Sequence, residues 1–461
     1  MYLIFIFILI TNIFNIYSID ENISENNKSQ NSLSKNIRSL INIHKNVTKI
    51  SIGNIPLTRT EEGLYTLKLS IGNPSQEFSL LLDTGSPLLW INSNNCIGCK
   101  SQNTFYSFKS TTYKPTKETL SINYLSGEIS GIIGQDTIKF YLNSFLIPYF
   151  YIFVVNKTNI NFKYDGILGL SKGVRNIYNL KYSTSNQMFE NEILDENTFL
   201  FDFPHKNFYM DEIPSYLNRY TNFTCKSING YKLNNYYWHC NYDIIESNNN
   251  QLISSDNKDE NFIIFNSGVN SLIFPQKFMT SFYQIISNNK LLTDGKCTIK
   301  SQNSTNNLYT LICENFANLI EQNNKEYENI FNNDEFIVIY LFYERKVNFK
   351  IKDLYDKEKA SFKLYFTVIP NDAIILGVPF FEKYPILFDK DDGSIIIYDG
   401  IRPKEESSAS SKILVFLFVI LILLLVILLV YIILRNKRKV TSSQIEKQFS
   451  NYGLFSQEEK K

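Results

Sequence analysis

Residues 78–90, FSLLLDTGSPLLW, constrain the fold of this chain more than any other part of the sequence. An apolar run of this length predicts a buried strand, and Gly85 after it allows a tight turn where a side chain would block the backbone. The turn places the carboxylate of Asp83 at a buried loop tip. Because a buried carboxylate needs hydrogen-bond donors, we expect Thr84, Ser86 and the loop amides to surround it. Taken alone, the triplet Asp83-Thr84-Gly85 is equally compatible with an ordinary β-turn.

Further motifs accompany this turn in a fixed order along the chain. YTLKLSIGNPSQ precedes it, and INYLSGEISGIIG, YDGILGL and AIILGVPFFEKYPILFDKDDGSIIIY follow it. Together, over residues 60–400, these motifs resemble the pepsin-like aspartic proteases. The resemblance implies a mainly β, bilobal fold, in which two related β-rich lobes enclose a central cleft. It also implies aspartic-type endopeptidase activity on polypeptides.

Residues 122–134, INYLSGEISGIIG, have the pattern of a β-hairpin with a Ser-Gly tip. By the resemblance, this hairpin is the flap that closes over bound peptide, and Tyr124 hydrogen-bonds to Trp90. Ser126 and Gly127 at its tip then contact the substrate. A tyrosine packed on the surface is the alternative interpretation of Tyr124.

Residues 261–275, NFIIFNSGVNSLIFP, repeat the strand-turn-strand pattern of the first turn. The resemblance implies a second catalytic Asp here, but the sequence has Asn266, followed by Ser267 and Gly268. The next residue in the family is usually a Ser or Thr whose hydroxyl supports the second carboxylate. In this chain it is Val269, which has no hydroxyl. Both departures concern the same half of the predicted site.

The family reaction depends on two carboxylates that share one proton. The ionised carboxylate takes a proton from water while the protonated one donates to the peptide carbonyl oxygen. The amide of Asn266 can donate an N–H but cannot titrate, so we expect very little turnover. The resemblance places the catalytic pair at Asp83 and Asn266. It implies substrate contacts for Tyr124, Gly85, Ser126, Gly127 and Gly268. It implies a supporting role for Thr84, Ser86, Trp90, Ser267 and Val269.

Apolar segments at both ends of the chain predict a membrane protein. Residues 2–10, YLIFIFILI, fit a signal peptide that is cleaved near Ser18. Residues 413–434 are an uninterrupted apolar run, long enough as a helix to cross a bilayer of about 30 Å. RNKRK follows at once, and positive charge marks the cytoplasmic side, so the predicted topology is type I. We expect a secretory or endolysosomal membrane, or the cell surface, with the large domain lumenal or extracellular.

Two polar segments flank this predicted core. The arm that precedes the first lobe contains scattered basic residues; by the resemblance it is a removable prosegment, and a disordered arm is the alternative. In the tail, Tyr452 lies in NYGLF, which fits the pattern that sorting adaptors bind as an extended strand. The predicted segments follow one another along the chain. They are a signal peptide (1–18), a prosegment-like arm (19–58), an N-terminal lobe (59–204), a C-terminal lobe (205–402), a linker (403–412), a transmembrane helix (413–434) and a cytoplasmic tail (435–461).

Six cysteines in a secretory chain favour three disulfides. The first and third pairs resemble loop-stapling bridges of the family, while a redox-active or metal-binding Cys-x-x-Cys is the alternative for the first. Pairing in sequence order links Cys96 with Cys99, Cys225 with Cys240, and Cys297 with Cys313.

The composition excludes some other classes of function. A chain of 461 residues with 44% apolar residues can bury a large core, and a net charge of +1 gives no indication of nucleic-acid binding. The three histidines lie far apart in sequence, and neither a metal nor an organic cofactor is implied. Asn-x-Ser/Thr sequons, such as Asn156 and Asn222, are consistent with a glycoprotein.

Three hypotheses follow from the sequence. The first is a membrane-anchored aspartic endopeptidase that tolerates Asn266 or converts it to Asp by deamidation. The second is a catalytically impaired homologue that binds extended polypeptide in its cleft as a receptor, escort or regulator. The third is a glycosylated surface protein that uses the fold only as a scaffold.

Overall fold

A computed structural model of the chain describes most of the two predicted lobes. One compact unit holds the described residues up to Leu217 together with Asn222–Asp399; a second holds Asn218–Thr221 and the described residues from Gly400 onward. The described residues are 54–124, 127–140, 146–173, 180–190, 194, 196–225, 236–247, 250–254, 261–303, 308–322, 324–341, 345–356, 359, 361–369, 372–401, 426–428 and 430–435.

Strands dominate the described residues, as the sequence predicts. In the first half of the chain they are β1 (Asn54–Pro56), β2 (Thr58–Arg59), β3 (Tyr65–Ile71), β4 (Gln76–Asp83), β5 (Leu89–Ile97), β6 (Lys114–Tyr124), β7 (Gly127–Phe140), β8 (Ile147–Thr158), β9 (Gly166–Gly169), β10 (Thr198–Asp202), β11 (Asn207–Met210) and β12 (Tyr220–Cys225). In the second half they are β13 (His239–Ser247), β14 (Asn250–Ser254), β15 (Phe262–Phe265), β16 (Leu272–Pro275), β17 (Cys297–Asn303), β18 (Leu308–Cys313), β19 (Glu335–Leu341), β20 (Arg345–Lys350), β21 (Tyr355–Asp356), β22 (Ser361–Thr367), β23 (Ile374–Leu376), β24 (Ile386–Asp389) and β25 (Ile395–Ile401).

The helices of the two lobes are short and lie mostly in the second half of the chain. They are α1 (Thr184–Glu190), α2 (Met279–Asn288), α3 (Lys290–Asp294), α4 (Phe316–Glu321), α5 (Lys325–Asn332), α6 (Ile351–Leu354) and α7 (Val378–Phe381). Single 3-10 turns occupy Ser107–Lys109, Leu180–Tyr182, Phe203–His205, Ser215–Arg219 and Gln276–Phe278.

Three sheets organise the strands. The N-terminal lobe has an eight-stranded sheet in the order β2-β3-β4-β9-β5-β8-β7-β6. The C-terminal lobe has an eleven-stranded sheet with the path β17-β18-β22-β16-β23-β15-β13-β19-β20, to which β14 and β21 are added at β13 and β22. A six-stranded sheet in the order β1-β11-β10-β24-β25-β12 combines strands from both halves of the chain. This is the mainly β, two-lobed architecture that the sequence predicts.

The two lobes build their turns on the same strand arrangement. In the first lobe β4 runs parallel to β9, with Asp83 beside Gly169, and β5 runs antiparallel to β9. In the second lobe β15 runs parallel to β23, with Phe265 beside Leu376, and β16 runs antiparallel to β23. Each turn therefore lies between two strands that are both paired to a third, which fixes its position in the sheet.

The first described strand begins earlier than the predicted lobe boundary. β1 pairs with β11, and Ile55 is fully buried while Leu57 is 5% exposed. The polar arm predicted for residues 19–58 therefore ends in residues that belong to the folded core. Residues 19–53 lie outside the described residues, as does the predicted signal peptide.

The predicted membrane-spanning run is described only in part. Residues 426–428 and 430–435 are helical, and the rest of 413–434 lies outside the described residues, together with Tyr452. Within the described ranges, no helix has both the length and the apolar character needed to cross a membrane.

Candidate active site

The first turn begins where β4 ends. Asp83 is the last residue of β4 and is 5% exposed. Its carbonyl accepts a hydrogen bond of 2.7 Å from the amide of Leu170, which directly follows β9. The buried apolar side chains of β4 anchor the strand, so the carboxylate of Asp83 is held at a fixed place at its end.

The carboxylate of Asp83 has three hydrogen-bond donors. Oδ1 accepts from the amide of Gly85 at 2.7 Å, and Oδ2 accepts from Oγ of Ser86 at 2.6 Å. The amide of Gly268 in the other turn also donates to this carboxylate. Thr84, which we expected as a fourth donor, instead donates its hydroxyl to the carbonyl of Phe265 at 2.9 Å.

Burial dominates the acidity of Asp83. Removal from water raises the pKa of Asp83 above its ordinary value, because the charged form loses hydration. The hydrogen bonds from Ser86, Gly85 and Gly268 act in the opposite direction, since they stabilise the ionised form. Asp83 is therefore a carboxyl group that holds its proton more tightly than an exposed aspartic acid.

Asn266 occupies the same place in the second turn that Asp83 occupies in the first. Its Oδ1 accepts from the amide of Gly268 at 2.9 Å, just as Oδ1 of Asp83 accepts from Gly85. A Cβ atom on Gly85 would lie 2.4 Å from Nδ2 of Asn266, and one on Gly268 would lie 2.5 Å from Oδ1 of Asp83. The two glycines therefore leave the space in which the carboxylate and the amide face each other.

The two turns differ at the third residue after Asp83 and Asn266, which is Ser86 in the first turn and Val269 in the second. Ser86 donates to the carboxylate in the first turn, whereas Val269 packs against a buried apolar cluster that includes Ile264, Ile273 and Ile375. A hydroxyl is thus present beside Asp83 and replaced by methyl groups beside Asn266. An amide needs less such support than a carboxylate, so the residues at 266 and 269 are mutually consistent.

The two turns hold each other through reciprocal hydrogen bonds. The amide of Thr84 donates to Oγ of Ser267, and the amide of Ser267 donates to Oγ1 of Thr84, both at 3.0 Å. Oγ of Ser267 in turn donates to the carbonyl of Leu82 at 2.8 Å. Thr84 and Ser267 are both fully buried. These supporting residues fix the turns against each other rather than contacting the carboxylate.

The flap carries the contact that the resemblance implies. β6 and β7 pair as a hairpin, with Tyr124 opposite Gly127, and Nε1 of Trp90 donates to Oη of Tyr124 at 3.0 Å. Trp90 is 2% exposed and Tyr124 is partly buried, so Tyr124 is not a simple surface aromatic. Ser126, predicted to contact substrate, lies outside the described residues.

Asn270 adjoins the second turn and makes a structural contact that the sequence pattern did not indicate. It follows Val269, and its Nδ2 donates to the carbonyl of Glu62 at 2.9 Å. The side chain of Glu62 is held by Lys163 at 3.1 Å and by Tyr164 at 3.0 Å. The second turn is therefore tied to the start of the first lobe, a long-range contact without a local sequence signal.

The cysteines form disulfides in sequence order. The bonds are Cys96–Cys99, Cys225–Cys240 and Cys297–Cys313. Across the part of the chain that the structure describes, no group of three or more His, Cys, Asp or Glu side chains could hold a metal ion.

Comparison with known proteins agrees with this geometry. The sequence model for eukaryotic aspartyl protease matches residues 64–397. Embryonic pepsinogen of Gallus gallus is 32% identical over 162 residues, 31% of this chain and 38% of that protein. Vacuolar protease A of Aspergillus fumigatus is 33% identical over 142 residues, 30% of this chain and 35% of that protein. The matched segments thus span little more than a third of each of these relatives.

Solved structures support the fold over a longer part of the chain. The crystal structure of aspartic proteinase from Irpex lacteus superimposes with a TM-score of 0.56 at 15% sequence identity. The match covers 76% of this chain and 97% of that one. At this level of identity the likeness concerns the fold alone.

Proposed function

The chain belongs to the eukaryotic aspartyl protease family, and on that premise we propose that it binds extended polypeptides in its cleft without hydrolysing them efficiently. The observation that carries this proposal is the place of Asn266, which faces Asp83 across Gly85 and Gly268. The protein is then a catalytically impaired member of a peptidase family, acting as a peptide-binding receptor, escort or regulator.

The chemistry of the pair supports a loss of hydrolysis. Asp83 can accept a proton from water, but the protonated partner that donates to the peptide carbonyl is replaced by an amide that cannot titrate. General acid-base assistance contributes roughly a hundredfold to ten-thousandfold to such reactions. Asn266 cannot return a proton to the leaving amine either, so turnover through this pair is very slow.

Deamidation would restore the second carboxylate, and the geometry of the turn opposes it. Deamidation requires the amide nitrogen of Ser267 to attack Cγ of Asn266. That nitrogen donates to Oγ1 of Thr84 at 3.0 Å, and Ser267 is fully buried. Oδ1 of Asn266 is held by Gly268 at 2.9 Å. The attacking nitrogen is therefore buried and engaged elsewhere, and the amide group of Asn266 is held in one orientation, which supports Asn266 as the functional residue.

The remaining groups of the cleft support peptide binding. No acceptor in the described part of the chain pairs with Nδ2 of Asn266, so this N–H is available to a ligand carbonyl. The protonated or ionised carboxyl of Asp83 lies beside it, and the flap with Tyr124 provides a strand that an extended peptide can pair with. Backbone pairing of this kind gives affinity for extended segments with modest dependence on sequence.

We also propose that the protein is anchored in a membrane as a type I single-pass protein. The proposal rests on the apolar run 413–434, the RNKRK that follows it and the apolar amino terminus. The large domain would then lie in the lumen or outside the cell, where disulfides persist. Tyr452 in the tail would serve a sorting adaptor.

An active aspartic endopeptidase is the second candidate, and two observations favour it. Asp83 keeps its donors Gly85, Ser86 and Gly268, and the Trp90–Tyr124 hydrogen bond of the flap is intact. A protein that used the fold only as a scaffold would not need either feature.

Retention of peptides on a column carrying the purified protein tests the proposed binding. The natural protein should retain extended peptides, and Gly85→Ala should abolish retention because its Cβ would lie 2.4 Å from Nδ2 of Asn266. Gly400→Ala is the matched control, since its Cβ would make an ordinary contact of 3.4 Å. Absence of retention by the natural protein would contradict the proposal and favour a scaffold.

A further inference from the structure

Two successive residues hold both ends of the first turn. The amide of Leu170 donates to the carbonyl of Asp83 at 2.7 Å, and the amide of Ser171 donates to the carbonyl of Ser86 at 2.9 Å. Ser86 in turn donates its hydroxyl to Oδ2 of Asp83 at 2.6 Å. The orientation of the Leu170–Ser171 peptide group therefore affects the place of Ser86, and through Ser86 the carboxylate.

The carbonyl of this same peptide group is held from the other lobe. Nε1 of Trp238 donates to the carbonyl of Leu170 at 2.8 Å. Trp238 and Leu170 are each 1% exposed, so water cannot replace this hydrogen bond. A chain of hydrogen bonds thus runs from the indole through the peptide group to Ser86 and Asp83.

The second turn obtains the equivalent support locally. There the amide of Val378 donates to the carbonyl of Val269 at 2.7 Å, as Ser171 does to Ser86. The carbonyl of the preceding residue, Gly377, accepts from the amide of Phe380 at 2.9 Å, within helix α7. A helix therefore fixes the supporting peptide at the second turn, whereas a distant indole fixes it at the first.

The backbone of Trp238 also reaches the second turn. Its carbonyl accepts from the amide of Phe265 at 2.9 Å, and the carbonyl of Phe265 accepts from Oγ1 of Thr84 at 2.9 Å. Phe265 immediately precedes Asn266. The side chain of Trp238 is thus hydrogen-bonded to Leu170 beside the first turn, and its backbone is hydrogen-bonded to Phe265 at the start of the second turn.

We propose that Trp238 is a positioning residue whose indole N–H sets the Ser86 hydrogen bond to Asp83. Without that N–H, the carbonyl of Leu170 is left buried and unpaired, and the peptide group turns to find another donor. Because hydrogen bonds in series strengthen one another, the effect passes to the carboxylate. The proposal concerns the free site, so it does not depend on whether the cleft binds peptide.

Packing alone is the competing explanation, and one substitution separates the two. The ring of Trp238 also lies 4.8 Å from that of Phe388. Trp238→Phe keeps an aromatic ring in the core and removes the N–H. Phe388→Leu removes this ring contact and leaves the N–H of Trp238 bonded to the carbonyl of Leu170. Phe388→Leu is therefore the matched control for packing.

The measurement is the pKa of Asp83 in the full-length protein, followed by carbon-13 NMR of labelled aspartate carboxyl groups. The carboxyl signal of Asp83 is assigned as the one that is missing from the spectrum of Asp83→Asn. In Trp238→Phe the pKa of Asp83 should rise by about half a unit or more, because the Ser86 hydrogen bond that stabilises the ionised form weakens. In Phe388→Leu it should stay within about 0.2 units of the natural protein, because the N–H of Trp238 is kept.

Two results would overturn the proposal. One is a folded Trp238→Phe protein in which Asp83 titrates as in the natural protein; the other is an equal shift in Trp238→Phe and Phe388→Leu. Should Trp238→Phe not fold, the natural protein still provides the test. In a pH titration of the natural protein, the nitrogen-15 chemical shift of the Trp238 indole should change with the same midpoint as the titration of Asp83. A chemical shift that stays constant through the titration of Asp83 would also contradict the proposal.

Discussion

Thr84 and Ser267 each donate a backbone amide to the hydroxyl of the other, both at 3.0 Å, across the two turns of the site. Because both residues are fully buried, these hydrogen bonds fix the turns relative to each other with no exchange for water. The arrangement is complete even though one turn carries Asp83 and the other Asn266. The two turns are therefore held together by the same pair of hydrogen bonds although only one of them carries a carboxylate.

Ser267→Ala should destabilise the protein strongly. It leaves the amide of Thr84 buried without an acceptor and removes a donor to the carbonyl of Leu82. Each buried group left unpaired costs about 1–3 kcal/mol, and urea unfolding measures the loss. Ser287→Ala on an exposed helix face is the control and should change the free energy of unfolding by less than about 0.5 kcal/mol. Equal stability of the two variants would show that the reciprocal pair contributes little.

Stability should depend on pH through Asp83. Burial raises its folded-state pKa above the ordinary value of 3.8, so the folded state binds the proton more tightly than the unfolded state. The stabilisation is fully present below pH 3.8 and is lost as pH rises through the folded-state pKa. The free energy of unfolding of Asp83→Asn, measured from pH 3 to 7, should lack this decline. A constant difference between the two proteins across this range would contradict the expectation.

Val269→Thr should assist catalysis only where a second carboxylate is present. In an Asn266→Asp background the threonine hydroxyl can donate to the new carboxylate as Ser86 does to Asp83, and threonine keeps the shape of valine. A rise in kcat of roughly tenfold over Asn266→Asp alone is expected, measured by peptide hydrolysis in acid. Val368→Thr, at a valine that is 66% exposed, is the control and should leave kcat unchanged. An equal kcat in both double variants would rule out this role for the hydroxyl.

Tyr124→Phe should loosen the flap. It removes the acceptor for the N–H of Trp90, which is 2% exposed and gains no water in exchange. We expect a loss of about 1 kcal/mol in the free energy of unfolding and a change in tryptophan fluorescence. Tyr106→Phe, at a tyrosine that is 36% exposed, should change neither. A variant indistinguishable from this control would mean that the hydrogen bond does not hold the flap.

The two turns and the hairpin could be predicted from local patterns in the sequence: an apolar run ending at Asp83 or Asn266, a glycine where the backbone must turn, and a Ser-Gly hairpin tip. The Trp90–Tyr124 contact could be predicted only through the resemblance to a known family. The structure adds the sheet pairing of Asp83 with Gly169 and of Phe265 with Leu376, which repeats in the two lobes.

The contacts that join distant segments could not be predicted. Thr84 donates to Phe265 instead of Asp83, because the partner is brought close only by the folding of both lobes. Trp238 and Asn270 act through single hydrogen bonds to Leu170 and Glu62, for which no spacing in the sequence gives a signal. The scarcity of tryptophan, with only two in the chain, was the sole sequence feature that set Trp238 apart.

Acid-dependent hydrolysis of a mixed peptide library distinguishes an impaired peptidase from an active one. The proteins compared are the natural chain, Asn266→Asp and Asp83→Ala. We expect the natural protein to cleave no faster than Asp83→Ala, and Asn266→Asp to cleave at least about a hundredfold faster. Cleavage by the natural protein that a transition-state-mimicking peptide blocks and Asp83→Ala abolishes would contradict impaired hydrolysis, since Asn266 would then support the reaction.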